Sequence, residues 1–143
     1  MYAFHVRFIL ERVGEDDKLL KEIREQLDVH RVRTGLSSPV LSFTPKSHTN
    51  STHDLSDYYA QAERLIDAER RVLRDRERHV RRAQELIALA PEHMQEVLSE
   101  YFIGGFSYRD IAAHSTRSES AIRGIIYRGI RKIAEATEGK TAA

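Results

Sequence analysis

The 143-residue chain contains no cysteine. Disulfides and thiolate metal sites are therefore excluded, and a reducing compartment such as the cytoplasm is compatible with the composition. No run of about 18 apolar residues occurs, so no membrane-spanning helix is expected. Aromatic residues make up 8%, glycine 7 positions and proline 3. That scarcity disfavours a compact sandwich with many tight turns. The opening "MYAFHVRFILERVGEDD" has an apolar patch, but acidic residues follow at once and no small-residue cleavage site stands there, so a signal peptide is not expected.

What is present is charge and helical periodicity. Charged residues are 31% of the chain, yet the net charge is only +1. Its distribution is uneven. Residues 1–34 hold seven basic and seven acidic side chains, whereas Arg117, Arg123, Arg128, Arg131 and Lys132 face only Glu119 between 117 and 132. A basic stripe of this kind on one helix is an electrostatic footprint suited to nucleic acid.

Residues 1–34 predict an amphipathic helix from about Tyr2 to Arg33. Val6, Ile9, Val13, Leu20, Ile23 and Leu27 recur at three- and four-residue steps, with Asp16 and His30 at two stations of the same seam. Gly14 should weaken or kink it, by about 1 kcal/mol relative to alanine. Residues 35–53 read as a Ser/Thr-rich loop or linker: Gly35 can cap the first helix, and Pro39 and Pro45 break any continuation. His48 and His53 fall in it, and without other ligand types they make a poor metal site.

A second long charged helix is expected over 54–90, capped by Asp54 or Ser56. Its apolar stripe reads Tyr59, Ala62, Ile66, Leu73, Val80, Ala83 and Ile87. Eight arginines from Arg64 to Arg82 interleave with acids on the other faces, the pattern of a solvated helix laced with i,i+4 pairs. Two such seams need partners. They can close on each other as a long, coiled-coil-like helical hairpin, on a second subunit, or on both. Pro91 ends this helix or starts the next at its first position.

Residues 91–143 predict three further helices and a short tail. Met94, Val97, Leu98, Tyr101 and Phe102 share one face of the first. "GG" at 104–105 stops it, and Phe106 is expected to plug into the core beside Tyr101 or Phe102. Ser107 opens a Ser-x-x-Asp capping box and a helix of about two turns through His114, with Ile111 and Ala112 inward. "HSTR" is the turn. Ser118 caps the last helix, whose stripe is Ile122, Ile125 or Ile126, Ile130 and Ile133, running to about Ala136. A short helix, a four-residue turn and a longer capped helix with basic flanks have the form of a helix-turn-helix.

The stretch "PEHMQEVLSEYFIGGFSYRDIAAHSTRSESAIRGIIYRGIRKI" resembles region four of sigma-70-family transcription factors. The match is carried by Val97, Leu98, Tyr101, Gly105, Tyr108, Asp110, Ile111, Ala112, Ser118, Ile122, Arg123, Arg128, Gly129, Ile130, Lys132 and Ile133. It covers about the last third of the chain; the core-binding region two is absent. The family carries Leu-Gly-(Ile/Val) in the turn, where Ser115, Thr116 and Arg117 stand here. Either Thr116 takes a left-handed conformation or the turn is built differently. The overall layout is similar to small phage and mobile-element regulators of the ArpU and RinA kind, which are late-gene transcription activators.

The expected fold is all-α, a long helical hairpin followed by a sigma-region-four-like helix-turn-helix. The expected function is sequence-specific recognition of double-stranded DNA in transcription regulation. Ser118, Glu119, Ser120 and Arg123 are candidates to face base edges: Arg123 can pair bidentately with guanine, and Glu119 can accept from cytosine N4. Tyr108, Arg109, Arg117, Arg128 and Lys132 are candidates for phosphate contacts. RNA polymerase and a second copy bound through the long helices are candidate partners. Two other readings fit the same residues: a packaging protein similar to the small subunit of a phage terminase, although that kind places its DNA-binding part first, or a helical interaction module that binds no DNA. No catalytic constellation, metal-ligand cluster or phosphate-binding loop stands out, so neither enzyme activity nor a cofactor is expected.

Overall fold

A computed structural model describes residues 1–34 and 51–141, with side chains described for 1–31 and 56–140. The expected linker features at Gly35, Pro39, Pro45 and His48 lie outside what is described; the linker does not extend through 53 as expected, because His53 is already helical. Five helices follow in chain order: α1 (Ala3–Thr34), α2 (Ser51–Ile87), α3 (Glu92–Phe102), α4 (Tyr108–Ala113) and α5 (Glu119–Thr141). No strand occurs among the described residues, and none of their helices is long and apolar enough to cross a membrane.

The chain divides into two compact units, Met1–Asp17 with Asp75–Ala143, and Lys18–Arg74. In the first unit one core joins Val6, Leu10 and Val13 of α1, Ala83, Leu86 and Ile87 of α2, and the apolar faces of α3, α4 and α5. Val6, Leu10 and Val13 are completely buried. Each buried aliphatic side chain of this size stabilises the fold by about 1.5–3 kcal/mol. The ladder of isoleucines expected on α5 is all inside: Ile122, Ile125, Ile126, Ile130 and Ile133 are each at most 6% exposed. Gly129 lies among them. A Cβ built there would come within 2.8 Å of Leu98 Cδ1, so the missing side chain is what lets α5 approach α3. Asp16, partly buried, meets His79 at 2.5 Å, and Asp17 accepts from Arg76 at 2.6 Å.

In the second unit Leu20, Ile23 and Leu27 of α1 pack with Leu65, Ala68 and Val72 of α2. Arg24 pairs with Glu69 at 3.5 Å, and the His30 ring meets Tyr58 edge-on. Positions advance along α1 as they retreat along α2, so the two segments run antiparallel here.

The α1 seam follows its expected stations, with Leu10 added and Ile9 only partly covered. α1 continues through Gly14. On α2 the stripe differs from expectation. Val80, Ala83 and Ile87 turn inward, but Tyr59 is 48%, Ile66 41% and Leu73 38% exposed. The inward positions in the second unit lie one residue earlier, at Tyr58, Leu65 and Val72. One residue is about 100° of helix rotation, enough to move a stripe from seam to surface.

Smaller corrections concern ends. α2 begins at Ser51, so Asp54 and Ser56 lie within it rather than capping it. Pro91 is the residue before α3, with φ −54° and ψ 141°, not its first helical position. α4 stops at Ala113, with His114 as its C-cap. α5 runs on to Thr141.

Candidate nucleic-acid interface

Local chemistry builds the α4–α5 pair. Gly105 has φ +72°, a conformation open to glycine at little cost, and it ends the turn after α3. Ser107 then forms both halves of a capping box. Its hydroxyl accepts from the Asp110 N–H at 3.2 Å, and its own N–H donates to Asp110 Oδ2 at 3.3 Å. These bonds hold the Asp110 carboxyl below its ordinary pKa, the Ser107 side-chain bond first. A cap of this kind is worth about 1 kcal/mol.

The turn from His114 to Ser118 carries no left-handed residue: the only described residue with positive φ is Gly105. Thr116 does not take the left-handed conformation, so of the two alternatives the turn is the one built differently. Ser115 Oγ accepts from the Arg117 N–H at 3.2 Å, which closes the turn without glycine. Ser118 Oγ accepts from the Ala121 N–H at 3.2 Å and so caps α5, with Glu119 in the first turn. The Ser118 hydroxyl proton stays available to donate outward.

The candidate base-reading residues Ser118, Glu119, Ser120 and Arg123 are all exposed, as are Arg109, Arg117, Arg128 and Lys132. Tyr108 is half-buried. The structure brings two of them into contact: the Arg123 guanidinium lies over the Tyr108 ring, 5.2 Å from its centroid. Tyr108 in turn stacks on Tyr101, with centroids 4.8 Å apart and planes 3° from parallel. The Tyr101 hydroxyl is raised above its ordinary pKa, first by the neighbouring Tyr108 hydroxyl and then by burial. Arg7 of α1, which donates to Glu11 at 2.8 Å, also lies within electrostatic reach of Tyr108. Arg7 and Glu11 are therefore neighbours of this surface that motif spacing did not indicate, because they come from a distant segment.

Phe106 does not enter the core. It is 46% exposed and meets His114 edge-on. The places expected for it are taken: Tyr101 has Tyr108 on its face and Phe102 against its edge.

Along the outer face of α5, Arg131 lies over the exposed Tyr127 ring at 5.9 Å, and Lys132 sits 3.6 Å from Glu135. Arg128 folds back along the helix. Its Nη1 would stand 3.1 Å from a Cβ at position 124, a space that Gly124 leaves open. No cluster of three or more metal-ligating side chains occurs among the described residues.

No family model, curated protein or solved structure matches the chain.

One titration is expected to report on the turn. His114 Nε2 sits 2.8 Å from Glu100 Oε2, and that contact raises the imidazole pKa above its ordinary value. A raised folded-state pKa means the protonated form is favoured by folding. The contribution is full below about pH 6.5, the unperturbed value, and is lost as the pH climbs through the raised one. Glu100→Gln should shift the His114 NMR titration midpoint downward. An unchanged midpoint would show that the ion pair does not form in solution.

Proposed function

We propose that the chain is a sequence-specific DNA-binding transcription regulator in which α4 and α5 act as a sigma-region-four-like helix-turn-helix, of the phage or mobile-element type. The observation that carries this reading is the division of α5 into two faces. One is a buried ladder of isoleucines, and the other exposes Arg123, Arg128, Arg131 and Lys132 along a helix whose N-terminus is capped. A helix so anchored can lay its first turns in a major groove while its cations meet phosphates.

In this reading Ser118, Glu119, Ser120 and Arg123 read base edges. Arg123 leaves the Tyr108 ring to reach guanine O6 and N7, exchanging a cation–π contact of about 0.5–1 kcal/mol for a bidentate pair. Tyr108, Arg109, Arg117, Arg128 and Lys132 hold the backbone. The antiparallel segments of α1 and α2 form the helical hairpin and carry contacts to RNA polymerase or to a second copy.

The test is in-vitro selection of bound DNA from a random library, followed by affinity for the winner and a scrambled control across salt. Arg123→Ala should weaken the selected site by about tenfold or more with little change for the control. Lys132→Ala should weaken both alike and lower the salt slope by about one. No change in affinity or preference on replacing Arg123 would refute this register, and no binding to any DNA at low salt would refute the function.

A further inference from the structure

The outer face of α2 within the second unit carries an apolar stripe that the α1–α2 seam does not use. Tyr59, Ile66 and Leu73 follow one another at seven-residue spacing and are 48%, 41% and 38% exposed. Tyr59 and Leu73 lie within about 20° of Ile66 around the helix, and Ala62 is the next residue beside them. The seam itself is filled by Leu65, Ala68 and Val72, so the stripe is a second face and not a gap in the first.

We infer that this face binds a second copy of the same chain, α2 against α2, antiparallel, about a two-fold axis at Ile66. The sequence around Ile66 is self-complementary for that arrangement alone. Tyr59 and Leu73 are each seven residues from Ile66, so the axis sets each opposite the other in the second copy. Glu63 stands three residues before Ile66 and Arg70 four after it, both flanking the stripe on the same side. In an antiparallel pair like flanks face each other, so Glu63 meets Arg70 of the second copy, twice by symmetry. In a parallel pair opposite flanks face each other, so Glu63 and Arg70 would meet Tyr58 and Leu65 of the second copy and form no ion pair.

A surface hollow lined by Asp67, Arg70, Arg71, Leu73 and Arg74 lies where Tyr59 of the second copy arrives. It offers the ring an apolar contact and guanidinium groups for its face. Three part-exposed large apolar side chains are far fewer than the roughly 20–30 residues a side of a standard stable interface. The dimer is therefore one that forms and separates with protein concentration.

The inference does not depend on DNA binding and is tested without DNA, by sedimentation of the full chain over a range of concentrations. Wild type should pass from monomer to dimer as concentration rises. Ile66→Arg, at an exposed position, should keep the helical circular dichroism and weaken dimerisation by at least about thirtyfold. Glu63→Arg alone should weaken the dimer by setting it against Arg70, and Glu63→Arg with Arg70→Glu should restore it. A wild-type monomer at every concentration, an oligomer larger than a dimer, a dimer indifferent to Ile66→Arg, or a double reversal that fails to restore association would each overturn the proposal.

Discussion

Gly129→Leu is expected to destabilise the chain by about 2 kcal/mol or more, although it removes a glycine from the middle of a helix. Leaving glycine gains about 1 kcal/mol of helix propensity. Against that, the new side chain would be driven into Leu98, which is fully buried and whose Cδ1 already lies 2.8 Å from where a Cβ would stand. Overpacking of this kind typically costs about 1–3 kcal/mol, occasionally more. The same contact gives a sharper test with alanine. In the native background Gly129→Ala should be close to neutral, because propensity and strain oppose each other. Leu98→Ala alone should cost about 2–5 kcal/mol through the cavity it leaves. With Leu98→Ala in place, Gly129→Ala should become stabilising by about 1 kcal/mol, since only the propensity term remains. Urea unfolding followed by circular dichroism measures all four variants. Equal effects of Gly129→Ala in both backgrounds would show that α3 and α5 do not meet at this point.

The second large effect concerns α1. Val6, Leu10 and Val13 are completely buried in the same core as Ile111 and Ile122, so the first turns of the chain help to hold α4 and α5. Leu10→Asp should cost about 3 kcal/mol or more, through lost burial and an unpaired charge in an apolar core. The fragment 91–143 should lose most of its helical circular dichroism and show poorly dispersed amide resonances. Adding residues back from the N-terminus through Asp17 together with those from Asp75 onward should restore both. A well-dispersed spectrum from 91–143 alone would show that α3, α4 and α5 hold together without α1. If DNA binding by the intact chain is established, Leu10→Asp should abolish it as well, at a site where no DNA contact is proposed.

Helix type was legible wherever the seams were regular. The stations Val6, Val13, Leu20, Ile23 and Leu27 are the ones that pack, and even polar Asp16 was in register, because it meets His79 across the seam. Caps were legible for a similar reason, since Ser107 and Asp110 act over three residues and need nothing from elsewhere in the chain. The α2 stripe misled between Tyr59 and Leu73. Two apolar sets one residue apart, Tyr58, Leu65 and Val72 against Tyr59, Ile66 and Leu73, fit helical spacing equally well, and periodicity cannot say which set a partner helix will choose. Phe106 misled because its expected place was already filled by the Tyr101–Tyr108 stack, a contact between two different helices. Of the candidate interface, the exposed cations and the caps were readable. The arrangement of Arg123 on Tyr108, with Arg7 nearby, was not, since it depends on α1, α3, α4 and α5 meeting in one place.

Arg128 has a consequence for the field around α5. Its guanidinium is drawn back along the helix over Gly124, so its charge acts about one turn ahead of the residue that owns it. The free N–H groups at the start of a helix already present a partial positive charge. The positive potential of α5 is thereby weighted toward its leading end, where it offsets the negative charge of Glu119.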